Sequence, residues 1–258
     1  MGRIRGFFFD QDGVIIDTER DGHLVSFNQA FQEFGLAERW DTGLYAELLQ
    51  IAGGKERLRR FFPAMDQDLI ARIHKRKTDI FIAMVESGAL PLRRGVRRLM
   101  EEINQAGLVL GICTTSDDRV AHAIVSSCLH GIRLDFVLAG DAVARKKPDP
   151  AIYYLALRTA GLAAQECVVI EDSHIGVEAA KAAGLFVVAT PSSFTEKENL
   201  ENADVVVTSL GDPGAKGVLV RCGFPEAAGG SAAKRLSLFM SSYDGILRAR
   251  HLEELFES

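Results

Sequence analysis

Asp10 and Asp12, one residue apart in Asp10-Gln11-Asp12-Gly13, are the residues of this 258-residue chain best suited to chemistry. They follow the apolar run Phe7-Phe8-Phe9 and precede Val14-Ile15-Ile16. Burying an unpaired carboxylate costs several kcal/mol or forces its protonation, and a cation with a reactive phosphate would offset that cost. Three later segments supply complementary groups. Gly111-Ile112-Cys113 ends in Thr114-Thr115-Ser116, where a hydroxyl and the amides of a following helix make an anion-binding corner. Lys147, in Arg145-Lys146-Lys147-Pro148-Asp149-Pro150, offers a cation that can neutralise phosphate charge. Val168-Val169-Ile170 runs into Glu171-Asp172-Ser173, with Ser173 as helix N-cap and Gly184 as helix stop. The acids complete a hard oxygen site suited to Mg²⁺.

The elements that must position these groups alternate. Strands are expected at Gly6–Phe9, Leu108–Cys113, Phe136–Ala139, Val168–Glu171, Phe186–Thr190 and Val205–Val207, with helices such as Val96–Gln105 and Ala151–Ala160 between them. Short apolar strands alternating with helices predict an α/β fold, a doubly wound parallel sheet covered on both faces. In such sheets the working residues lie just beyond the carboxyl ends of the strands, where Asp10, Thr114 and Asp172 all fall. From about residue 18 to 90 the alternation gives way to helices, including Leu24–Phe34, Thr42–Ile51 and Asp66–Glu86. This block reads as a helical cap inserted after the first strand. The expected organisation is a core of residues 1–16 and 92–212, a cap of 17–91, and a tail of 213–258. In the tail, Ala227-Ala228-Gly229-Gly230-Ser231 reads as a linker and Ser241–Leu255 as a terminal helix.

The mild net charge of −5, with no long basic run, argues against a nucleic-acid binder. No segment reads as a signal peptide or a membrane span. Cys113 and Cys167 lie in apolar strand-like runs and are expected as reduced thiols, which fits a cytoplasmic protein.

Acid, hydroxyl, lysine and acid in this order resemble the haloacid-dehalogenase-like phosphatase superfamily over roughly residues 4 to 212. The resemblance implies a Rossmannoid core with a cap, and it assigns roles. Asp10 is the implied nucleophile, and Asp12 the acid and then base. Thr114 and Lys147 bind the transferring phosphoryl group, with Thr115 and Ser116 beside it. Mg²⁺ is held by Asp10, the main-chain carbonyl of Asp12 and Asp172, with Glu171 as a further ligand or a partner behind them.

In the cap, Asp17 to His23, Ile51 to Leu58 and His74 to Thr78 are similar to the CbbY-type sugar-bisphosphate phosphatases associated with Rubisco. The implied substrate is xylulose 1,5-bisphosphate, a small-molecule misfire product of Rubisco, converted to xylulose 5-phosphate. That link to Rubisco is functional and needs no direct contact. A phosphosugar mutase of the β-phosphoglucomutase type shares every core motif and is the alternative. Helical periodicity bears on the cap separately. At about 100° per residue, Ile70, Ile73, Ile80, Phe81 and Met84 form one stripe with Lys77 at its centre and His74 about 60° aside. A lysine centred on an apolar face either snorkels or meets an anion, and a second phosphate is one such anion. With Glu19 and His23 after the nucleophile loop, and Gly53, Gly54, Lys55 and Arg57 in the second segment, the candidate substrate-binding residues of the cap are completed by His74 and Lys77. Lys75 points the opposite way, toward solvent.

Overall fold

The computed structural model describes residues 3–49, 51, 53–140, 142–222, 239 and 242–256. The chain divides into two compact units, Asp17–Pro91 and Met1–Ile16 with Leu92–Ser258.

The smaller unit is helical. A π-helical turn at Glu19–His23 runs into α1 (Leu24–Glu33), and α2 (Thr42–Leu48), α3 (Gly54–Phe61) and α4 (Gln67–Glu86) follow. Asp41 and Asp66 open α2 and α4 as N-caps, their carboxylates accepting from Leu44 N and from Asp68 N and Leu69 N. The second helix ends at Leu48, short of the expected Ile51, and Gly53, at φ +93°, turns the chain into α3. The core of this unit is aromatic. Trp40 packs on Phe27 and Phe31 at ring separations of 4.6 and 5.0 Å, and its backbone exchanges two hydrogen bonds of 2.8 Å with the Asn28 amide. Such ring pairs contribute about 0.5–1.5 kcal/mol each beyond their burial.

The larger unit is a seven-stranded sheet of β1 (Gly6–Phe9), β2 (Val109–Cys113), β3 (Phe136–Leu138), β4 (Cys167–Glu171), β5 (Phe186–Ala189), β6 (Val205–Val207) and β7 (Leu219–Cys222). Their spatial order is β3-β2-β1-β4-β5-β6-β7. The first six strands pair in parallel, and β7 joins β6 antiparallel. Between the strands run α5 (Val96–Gln105), α6 (Asp118–Cys128), α7 (Ala151–Ala160) and α8 (His174–Ala182). Helices α7 and α8 bury the face bearing Phe8, Cys113, Val169 and Val187. Strand alternation sends Phe7, Phe9, Ile112 and Ile170 to the opposite face, and these are fully buried too. A sheet covered on both sides explains why its central strands read as unbroken apolar runs.

Strand β1 is the centre of the site. It pairs with β2 on one side and β4 on the other, so successive connections leave in opposite directions from its end. A crevice opens at such a point, beyond the carboxyl ends of the strands.

The segment beyond residue 212 differs from the expectation. It supplies β7 to the sheet, and its helix, α9 (Ala249–Phe256), starts later than the expected Ser241. Arg98 of α5 fastens this region by donating to the carbonyls of Leu210, Gly211 and Leu247 at 2.8–3.0 Å. The strand escaped notice because it is a short edge strand with Arg221 in it and Val220 exposed. The expected linker at 227–231 lies outside the described residues. Among the described residues no helix is long and apolar enough to cross a membrane, and all four cysteines are free.

Candidate active site

Asp10 is the first residue past β1, its amide bonded to the Ile170 carbonyl at 2.9 Å, so β4 fixes where its side chain begins. The Lys147 ammonium lies 2.6 Å from Asp10 Oδ1 and 2.6 Å from Glu171 Oε1, and it donates to the Cys113 carbonyl at 3.1 Å. Three strand ends thus meet on one cation, which also sits 5.2 Å from the centre of the Tyr153 ring. Burial alone would pull the lysine pKa down. Asp10 and Glu171 more than offset this and hold it charged, above its ordinary value.

The acids carry the opposite strain. Burial lifts the Asp10 carboxyl well above the usual range; Lys147 opposes this, while Glu171, Asp12 and Asp172 add to it. Asp172 is pushed up to about 7 by burial and by Glu171, against hydrogen bonds from Ser192 and Thr195 and the charge of Arg93. Carboxylate oxygens of Asp10, Glu171 and Asp172 lie within 4.8 Å of one another. Crowded hard oxygens facing a single ammonium suit a small divalent cation, and Mg²⁺ fits this donor set. Gly13 brings the turn after Asp12 close to the cluster: its φ is +79°, and a Cβ there would lie 2.0 Å from Asp172 Oδ2.

Glu171 stands apart from the other two acids. Its Oε1 accepts from Lys147 and, at 2.7 Å, from the Tyr153 hydroxyl; its Oε2 accepts from Asp172 N at 3.1 Å and from Ser173 Oγ at 3.4 Å. Both oxygens are engaged by the protein. Gly176 makes room for it, since a Cβ there would lie 2.1 Å from the carboxylate.

Asp12 faces the β2 end. Its Oδ2 accepts from Ser116 Oγ at 2.5 Å and Thr114 Oγ1 at 3.3 Å, and Thr114 Oγ1 in turn accepts from Ser116 N at 3.1 Å. Asp12 Oδ1 has no hydrogen-bond partner among the described residues, and neither does the buried Gln11 amide. Thr115 turns its carbonyl to Lys146 Nζ at 2.8 Å.

The smaller unit brings its own candidates together. Lys77 lies 2.9 Å from His23 Nδ1, with its ammonium 4.9 Å from the Phe27 ring centre and 5.6 Å from that of Phe81. His23 is driven well below its ordinary pKa by burial, then by Lys77, Arg57 and His74. His74 falls to about 4 through burial, then Lys77 and Lys55, with Glu56 opposing and Arg57 adding. Gly54 packs against that ring, a Cβ there falling 2.8 Å from Nε2. Lys55 is exposed, Gly53 sits one residue before the α3 start, and Arg57 donates to the Ile51 carbonyl at 2.9 Å while lying 5.9 Å from the Tyr45 ring centre. Tyr45 donates to Glu19 at 2.5 Å. Lys75 and Arg76 pair with Asp79 and Glu33 at the surface, as the helical wheel requires.

Four residues of the larger unit's site went unread in the sequence: Arg93, Tyr153, Ser192 and Thr195. Tyr153 offered a faint signal, a polar tip among the apolar positions of α7. The others carried none, since their contacts are with main-chain carbonyls and with an acid distant in sequence.

A doubly wound sheet whose switch point gathers carboxylates around a buried lysine has the layout of an enzyme site with a place for a cation. Residues 7–190 match the haloacid dehalogenase-like hydrolase family. The chain belongs to that family and is an enzyme of the phosphatase kind. It is 45% identical over 219 residues to a CBBY-like protein of Arabidopsis thaliana, covering 80% of this chain and 69% of that one. It is 39% identical over 222 residues to a plasmid-encoded CbbY of Cupriavidus necator, covering 81% and 87%. A mutant CbbY from Rhodobacter sphaeroides, solved in complex with xylulose-(1,5)bisphosphate, is similar with a TM-score of 0.70 and 37% identity over 80% of this chain and 94% of that one.

Proposed function

We propose that the protein is a Mg²⁺-dependent phosphatase of sugar bisphosphates, converting xylulose 1,5-bisphosphate to xylulose 5-phosphate and so removing an inhibitor of Rubisco in the cytoplasm. Asp10 attacks phosphorus, the bond to the sugar oxygen breaks, and Asp12 gives that oxygen its proton. Asp12 then takes a proton from the water that cleaves the aspartyl-phosphate, and inorganic phosphate leaves. Lys147 and Thr114 hold the phosphoryl oxygens, assisted by Thr115 and Ser116. Asp10, Asp172 and the Asp12 carbonyl would hold the metal, which would offset charge on the transferring group. Glu171 acts behind them by holding Lys147.

The observation that carries the bisphosphate reading is the basic cluster of the smaller unit. Beyond the effect of burial, Lys77 and Arg57 depress both histidines and Lys55 adds to this at His74, so the cluster carries a positive potential. A second phosphate, held by Lys77, Lys55, Arg57, His74 and the amides of Gly53 and Gly54, would relieve it. Glu19 and His23 take sugar hydroxyls. The similarity to a CbbY solved with xylulose-(1,5)bisphosphate supports this choice.

Phosphate release should be measured with xylulose 1,5-bisphosphate, ribulose 1,5-bisphosphate and sugar monophosphates, with Mg²⁺ and with chelator. The expected result is fastest release from the xylulose compound, abolished by chelator and by Asp10→Asn. Isomerised sugar phosphate without phosphate release would identify a mutase instead.

A further inference from the structure

Arg93, the second residue of the larger unit after its chain resumes at Leu92, gathers three main-chain carbonyls on one guanidinium. It donates to the carbonyl of Gly13, to that of Thr190 at 2.7 Å and to that of Pro191 at 2.7 Å. Its own amide donates to the Ile15 carbonyl at 2.8 Å. Gly13 and Ile15 belong to the loop that follows the nucleophile. Thr190 and Pro191 lead from β5 into a loop whose Thr195 hydroxyl donates to Asp172 Oδ2 at 3.0 Å. That hydroxyl is itself held by the Ser192 amide at 2.8 Å. A side chain at position 13 would run into the same Asp172 oxygen, so the glycine lets that loop lie close to it. Two loops are therefore joined behind Asp172 by one side chain. A guanidinium presents its donors in a rigid planar fork, so it fixes the spacing of the carbonyls as a flexible ammonium cannot.

We infer that Arg93, acting with Thr195, is the positioning residue that locks Asp172 against the nucleophile loop and thereby sets the affinity of the acid cluster for a divalent cation. This rests on the reading that Asp10 and Asp172 hold that cation. Arg93 spends its donors on carbonyls, and Thr195 grips one oxygen of Asp172. Ser192 adds a second hydrogen bond to Asp172, so the loop that Arg93 anchors grips the carboxylate at two points. Groups that orient metal-binding side chains in this way commonly contribute about 10–100-fold to metal affinity.

The test is Mn²⁺ binding to the full-length protein, followed by electron paramagnetic resonance of the free ion, for wild type, Asp172→Asn, Arg93→Met, Arg93→Lys and Thr195→Val. Wild type should bind, Asp172→Asn should not, and Arg93→Met and Thr195→Val should bind about 10–100-fold more weakly. Arg93→Lys should fall between wild type and Arg93→Met. At saturating Mg²⁺ the KM for substrate should stay near the wild-type value, which separates a metal effect from a substrate effect. An Arg93 that merely stabilised the fold would lower the unfolding midpoint and leave Mn²⁺ affinity unchanged. Equal Mn²⁺ affinity in wild type, Arg93→Met and Thr195→Val overturns the inference; if Arg93→Met does not fold, Thr195→Val decides. Failure of wild type to bind Mn²⁺ would instead overturn the metal reading beneath it.

Discussion

Replacing Gly13 by alanine would put a methyl group where the structure has Asp172. The added Cβ would lie 2.0 Å from Oδ2, whereas ordinary contact begins at 3.4 Å, so the carboxylate would have to retreat by about 1.4 Å. The 3.0 Å bond from Thr195 does not survive such a movement, and its loss costs about 1–3 kcal/mol. The φ of +79° adds about 1 kcal/mol of strain for any residue with a Cβ. Together these predict destabilisation of about 2–4 kcal/mol. The functional effect is larger, because a misplacement of about 1 Å at a reacting centre can cost about 100-fold in rate. Gly107→Ala is the matched control. It lies in the same unit at φ +68° with nothing within 4 Å of its Cβ, so it carries the strain without the collision. Urea denaturation should show both variants weakened, Gly13→Ala more so. Phosphate release and Mn²⁺ affinity should collapse only in Gly13→Ala. Turnover within about threefold of wild type in Gly13→Ala, a loss well short of that expected for a displacement of about 1 Å, would refute the geometry assigned to Asp172.

Three further outcomes are expected. Lys77→Met should raise KM for a sugar bisphosphate by about 10–100-fold, the worth of one charged hydrogen bond, with kcat for a small monophosphate unchanged. An equal loss on both substrates would place Lys77 elsewhere in the reaction. Tyr153→Phe removes the hydroxyl 2.7 Å from the buried Glu171 and should destabilise the protein by about 1–2 kcal/mol in urea; no change would show that the hydroxyl does not hold that acid. His74, held down to about 4 by burial, Lys77 and Lys55, should stay neutral by imidazole NMR until the pH approaches that value. The sign for stability follows. The unfolded chain takes up this proton near its ordinary value of 6.5 and the folded one only near 4, so stability from this group falls as pH drops through that window. A midpoint near 6.5 in the folded protein would refute the buried, positively charged setting assigned to the ring.

The four chemical segments were legible in the sequence because each combines a local pattern with a local consequence. An apolar run ending in Asp10, Thr114 or Glu171-Asp172 must be a buried strand, and parallel strands deliver their ends to one edge. The stripe that centred Lys77 and turned Lys75 outward follows from helical pitch alone, and α4 holds both residues as that pitch requires. What tertiary structure decided was the pairing of groups far apart in the chain. Residue type does not tell Glu171 from Asp172; only packing gives them different partners, Lys147 and Tyr153 for Glu171 and Thr195 for Asp172. Arg93 and Arg94 are alike as residues, yet only Arg93 meets the carbonyls of Gly13, Thr190 and Pro191. Strand β7 was hidden for a related reason, since an exposed edge strand has one partner and little apolar signal of its own. Residue type and period set what a side chain can do. Which partner it meets is set by the packing that brings β1, β2, β4 and β5 together at one edge, and that packing is non-local.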